Sequence, residues 1–113
     1  MPEIIYLASP YSDPSPAVRQ RRYEQVCEAT AAMLRAGYMV YSPIVHSHPL
    51  TEYGLPTEWA YWERLDTRMI AACDALWVLT LDGWSDSKGV MSEMRIAQQM
   101  GKRVCLKEAS GHA

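Results

Sequence analysis

Apolar residues fall along this chain in short blocks of two kinds. Four blocks are nearly continuous: Ile4-Ile5-Tyr6-Leu7-Ala8, Tyr38-Met39-Val40-Tyr41, Ala75-Leu76-Trp77-Val78-Leu79 and Arg103-Val104-Cys105-Leu106. Runs this short and this apolar predict strands covered on both faces, as in a parallel sheet. Between them the spacing becomes helical. Val18, Arg22, Val26, Ala29, Met33 and Leu34 predict a first helix, opened by Ser15 with Pro16 behind it and closed by Gly37. A second helix is expected from Thr57-Glu58 to about Cys73, with Trp59, Trp62, Leu65, Met69, Ile70 and Cys73 as its buried stripe. A third runs from Val90 to Gly101, its apolar face made of Val90, Met94, Ala97 and Met100. Ile44 to Pro56 has no clear period and is expected to be a long loop, and Glu108 to Ala113 a frayed tail.

Strands alternating with helices predict an α/β fold: a three-layer sandwich around a parallel sheet of about four strands, formed by right-handed crossovers. The expected strand order is 2-1-3-4, of Rossmann or flavodoxin-like type, in a single domain spanning residues 1–113. That order places a switch point between the first and third strands. The loops after Ala8 and after Leu81 would then face one crevice, where open α/β sheets bind their ligands. The second loop, Trp84-Ser85-Asp86-Ser87-Lys88-Gly89, has no phosphate-loop or dinucleotide fingerprint. The missing glycine-rich loop counts against a phosphate-handling flavodoxin-like domain.

Two acids break the periodicity. Glu93 lies inside the apolar arc of the third helix, three residues after Val90 and four before Ala97. Asp66 lies in the stripe of the second, four residues after Trp62 and four before Ile70. A buried carboxylate costs several kcal/mol unless it is paired, hydrogen-bonded or protonated. The structural explanation is that Glu93 accepts backbone N–H bonds near a helix start and that Asp66 caps a helix beginning at Leu65 or Asp66. The functional one is a shared pocket, since two carboxyls with shifted pKa values suit cleavage of a glycosidic bond.

Composition narrows the classes. With 49% apolar and 21% charged residues, the 113-residue chain is an ordinary globular protein. A net charge of −2 offers no basic excess for nucleic acid. Cys27, Cys73 and Cys105 are odd in number and widely spaced, and are expected to be reduced thiols of a cytoplasmic protein. Neither a signal peptide nor an apolar run near ~20 residues appears, so no membrane association is expected. His46 and His48 would share one side of an extended chain. They have no third ligand at metal spacing, so His46 is taken to line the site and no metal is expected. Trp59 and Trp62 are assigned to the core, whereas Trp84, after Gly83 in a polar loop, is a candidate for stacking on a base.

Tyr6-Leu7-Ala8-Ser9-Pro10, Asp66 eight residues before Asp74, and Ser87-Lys88-Gly89 leading to Glu93 resemble the nucleoside 2-deoxyribosyltransferase superfamily, including its 2′-deoxynucleoside 5′-phosphate N-glycosidases. The closest resemblance is to an uncharacterised bacterial and phage branch of that group. It implies a nucleoside or nucleotide as the small-molecule partner and no cofactor. Glu93 would be the nucleophile at C1′, with retention. Asp66 would serve the departing base, and Tyr6 would keep Glu93 ionised. Ser87, Gly89 and Ser9 would hold the substrate. The resemblance departs in two places. Ser9-Pro10-Tyr11-Ser12 stands where the 5′-phosphate hydrolases carry a glycine and an arginine, although Arg19 or Arg22 is placed to reach in. Ser87 stands where the transferases carry an acid, with Asp86 one residue off, which favours hydrolysis over base exchange. A subunit this small is expected to form a homo-oligomer, a dimer or tetramer, that completes the pocket. The alternative, from another class, is a nucleotide-sensing module without turnover.

Overall fold

The computed structural model describes residues 2–109; the end of the expected tail, residues 110–113, lies outside them. Four strands, β1 (Ile4–Ala8), β2 (Met39–Tyr41), β3 (Ala75–Leu79) and β4 (Arg103–Lys107), form one sheet in the order β2-β1-β3-β4. All three pairings are parallel, with Ile4 opposite Met39, Tyr6 opposite Leu76 and Trp77 opposite Cys105. Four α-helices accompany it: α1 (Pro16–Arg35), α2 (Pro43–Ser47), α3 (Trp59–Ala72) and α4 (Lys88–Gln99).

Alternation along the strands divides the core in two. Tyr6, Ala8, Leu76 and Val78 point to one side, where they meet Ile70 and Cys73 of α3 and Val90 and Ala97 of α4. Ile5, Leu7 and Leu79 point to the other and meet Val26 and Met33 of α1, with Ile44 and Val45 of α2 packed beside them. β1 therefore feeds a helix on one face and β3 a helix on the opposite face. The crevice this leaves at the strand ends is the topological switch point. No helix among the described residues is long and apolar enough to cross a membrane.

The helix starts follow local chemistry. Ser15 accepts from the Val18 N–H and Pro16 fills the first helical position; Ser87 does the same for the Val90 N–H at the start of α4. Gly37, at φ 100°, turns the chain out of α1. Asp74 accepts from the Ile4 N–H at 2.8 Å and so ties the entry of β3 to that of β1.

Three expectations need correction. The segment expected to be a loop from Ile44 to Pro56 instead holds α2 and a 3₁₀ helix over His48–Tyr53. Ser42-Pro43 is the reason: the Ser42 hydroxyl accepts from the Val45 N–H, so the pair that ends a strand also begins a helix. Leu65 lies 39% exposed rather than in the α3 stripe. The buried line of α3 is Asp66, Ile70 and Cys73, at intervals of four and three, which centres the inward face on the acid itself. Leu34 and Met100, placed on apolar faces by their spacing, are exposed near the ends of their helices.

Candidate active site

A cleft open to solvent occupies the switch point. Ser9, Tyr11, His48, Trp59 and Trp62 line it together with Asp66 of α3 and Glu93 of α4. Both acids are 4% exposed, and both sit well inside their helices, Glu93 five residues beyond Lys88 and Asp66 seven beyond Trp59. That removes the capping explanation for each, because no unpaired helix-start N–H lies within reach at those positions.

Tyr6, buried in β1 on the α3/α4 side, donates its hydroxyl hydrogen to Glu93 Oε2 at 2.5 Å. Burial pushes the Glu93 carboxyl up to about 8; the Tyr6 bond opposes this, and the neighbouring Asp66 charge adds to it. The Tyr6 bond works in the expected direction, but desolvation outweighs it. Burial likewise raises Asp66 to about 7. Tyr6 itself is raised well above its usual range by burial and by both acids, so it remains a hydrogen donor. Tyr41, half-buried beside Tyr6 with ring centroids 5.8 Å apart, is pushed up to about 12 by burial and then by Asp66.

Two polar atoms of this cleft have no protein partner: Asp66 Oδ1 and the hydroxyl oxygen of Ser9, itself 5% exposed. Natural folds seldom leave buried polar atoms orphaned, and a carboxyl is among the costliest to leave so. Both residues line the cleft.

Tyr6, Ser9, Asp66, Ser87, Gly89 and Glu93 come together as the sequence suggested, with Tyr6 behind Glu93 rather than on the surface of the cleft. Three other expected residues do not. His46 is exposed and is not part of the lining, because the helical backbone of α2 turns residues two apart about 200° from each other. His48 lines the cleft instead. Its Nδ1 lies 2.7 Å from the Tyr11 hydroxyl and its Nε2 3.0 Å from Gln20 Oε1, and its ring stacks on Tyr23 at 4.2 Å. Burial lowers its pKa, so it is the neutral imidazole at neutral pH. Trp84 packs against the core between sheet and α4, and Asp86 faces solvent. Both belong to a 3₁₀ turn over Trp84–Asp86 that directs them away from the cleft. Conversely Trp59 and Trp62, expected in the core, are half-buried and form a wall of the cleft.

Sequence reasoning missed Tyr11, His48, Thr51 and Thr57. Among these, the Tyr11 signal was present, as an aromatic residue in the loop after β1. His48 was weighed only together with His46, since its partners Tyr11 and Gln20 stand 37 and 28 residues away.

No curated protein matches this sequence. A family model described as a domain of unknown function (DUF1937) matches residues 3–109, from the entry of β1 to just beyond β4. The match covers every strand and helix that builds the cleft, and the chain belongs to that family.

Proposed function

We propose that the protein is an N-glycosidase acting on a nucleoside or a (deoxy)nucleoside 5′-monophosphate, with Glu93 as nucleophile and Asp66 as acid and base. One observation carries the reading: two buried carboxyls from neighbouring helices line one cleft, and one of them is held by a buried tyrosine. The sequence resemblance to the nucleoside 2-deoxyribosyltransferase superfamily points to the same residues.

In the first step a Glu93 oxygen bonds to C1′ of the sugar as the C1′–N bond breaks. The base leaves with the bonding pair and takes the Asp66 proton. Water then attacks C1′ of the glycosyl ester, gives its proton to the Asp66 carboxylate and releases Glu93, so one water is consumed for each base and sugar released. The half-buried indoles of Trp59 and Trp62 offer flat apolar surfaces for the base.

The chemistry needs one proton on the pair, placed on Asp66. Tyr6 donates to Glu93 and favours its ionised form, whereas Asp66 Oδ1 has no such donor. That asymmetry favours the proton on Asp66, the arrangement that cleavage requires. Exposed Tyr61 and Leu65, on the outer side of α3 near the tryptophan wall, suit a second copy that narrows the mouth.

The test is base release from a panel of nucleosides, 2′-deoxynucleosides and their 5′-monophosphates, followed by chromatography. Wild type is expected to release base from at least one member, and Glu93→Ala to lose about 10³-fold or more. Unchanged release in Glu93→Ala would remove Glu93 from the chemistry. Binding without release by the wild type would make the protein a sensing module.

A further inference from the structure

We infer that the cleft selects substrates without a 5′-phosphate: its ligand is an uncharged nucleoside, and the anionic nucleotide is disfavoured. This rests on the proposed function and adds the charge class of the substrate.

Among the described residues the lining contains two carboxyls, one neutral histidine and no lysine or arginine. The two arginines best placed to enter are already engaged. Arg22 Nη1 donates to the carbonyls of Tyr11 and Ser12, at 3.4 and 3.1 Å, and its Nη2 donates to that of Asp82 at 3.2 Å. The guanidinium thereby ties the loop after β1 to the loop after β3. Gly83 makes room for it: at φ 88° a side chain is strained, and a Cβ would lie 2.6 Å from Nη2. Arg19 donates to the Asp13 carbonyl; it comes near enough to Tyr11 and His48 to act on both, but it does not line the cleft. Lys88, at the start of α4, is exposed and outside the lining.

A phosphate brought into this space meets no cation and lies beside two buried carboxyls, and each added negative charge makes ionising Glu93 harder. What the cleft offers is suited to hydroxyls. The Ser87 oxygen accepts from the Val90 N–H, leaving its own hydrogen free to donate, and the Ser9 hydroxyl has no protein partner. Exchange of hydrogen bonds with sugar hydroxyls satisfies these groups without any counter-charge.

Calorimetry on the full chain with a 2′-deoxynucleoside and its 5′-monophosphate tests this, using the base that the release panel favours or, failing release, each of the four bases in turn. The nucleoside is expected to bind at least tenfold more tightly. The monophosphate's affinity should rise with salt, because salt screens a repulsion. Ser12→Arg, which puts a cation at the exposed rim, should improve monophosphate binding while leaving the nucleoside within about twofold. Equal or tighter monophosphate binding, affinity that falls with salt, or a selective loss of monophosphate binding in Arg19→Gln would each overturn the inference. Base release from the monophosphate at the nucleoside's rate would overturn it while the glycosidase reading stood. Tight nucleoside binding without release would sustain it while that reading fell. No binding of either compound would overturn both.

Discussion

The two sides of the sheet bury polar groups in different ways. On the α1 side Thr30 buries its side-chain oxygen and donates to the Val26 carbonyl one turn back at 2.7 Å. Its hydrogen is used within its own helix, and its neighbours are apolar. On the α3/α4 side Asp66 and Glu93 are buried just as deeply, yet Asp66 Oδ1 has no partner and Glu93 is met only by Tyr6. Trp77 Nε1, on the α1 side, also lacks a partner, but a neutral indole N–H costs far less to bury than a carboxyl and it lines no cleft. Depth of burial therefore does not separate structural from functional polar groups here. Charge and unmet bonding facing an open space do.

That contrast can be broken most sharply at Asp66. Asp66→Asn keeps the shape and removes the transferable proton, so base release should fall about 10²- to 10³-fold. Wild-type activity should peak between the two pKa values, at about pH 7 to 8. Below that range both acids are protonated and the nucleophile is lost; above it both are ionised and the leaving base finds no proton. The alkaline limb should vanish in Asp66→Asn, and a profile with no acid limb in the wild type would contradict the pairing.

Tyr6→Phe removes the one interaction that lowers the Glu93 pKa. Release at pH 7 should drop about tenfold or more, with the acid limb displaced upward and part of the rate recovered at higher pH. A uniform loss at every pH would reduce Tyr6 to a packing role.

Stability should move the opposite way from activity. The folded pKa values of Asp66 and Glu93 lie above the ordinary 3.8 and 4.5, so the unfolded chain releases protons that the folded one retains. The penalty is absent below about pH 4, grows as pH rises toward 7 to 8, and is constant above. Glu93→Gln should be more stable than wild type at pH 8 by about 2 kcal/mol and nearly equal to it at pH 4, measured by urea denaturation. The smallest effect belongs to the α1 side: Thr30→Val, similar in shape, should leave activity unchanged and alter stability by less than about 1 kcal/mol.

Much of this site was legible because an acid inside an apolar arc is a violation that periodicity detects. Glu93 and Asp66 were found in that way, and Tyr6 by the family resemblance. The strand order 2-1-3-4 was expected and is the order found. What could not be read were features that sequence spacing does not encode. α2 is five residues long, too short for a period, and its Ser42-Pro43 start doubles as a strand stop. Trp84 and Asp86 lie in a loop whose 3₁₀ turn, not its composition, decides where they point. His48 enters the site only because its helix brings it to Tyr11 and Gln20.

The central claim is that Glu93 bonds to the sugar. An acid-quenched reaction with a slowly cleaved 2′-fluoro-2′-deoxynucleoside, digested and weighed by mass spectrometry, tests it directly. The account predicts the sugar's added mass on the peptide containing Glu93, absent in Glu93→Gln. Base release with no adduct on that peptide and with inversion at C1′ would contradict it.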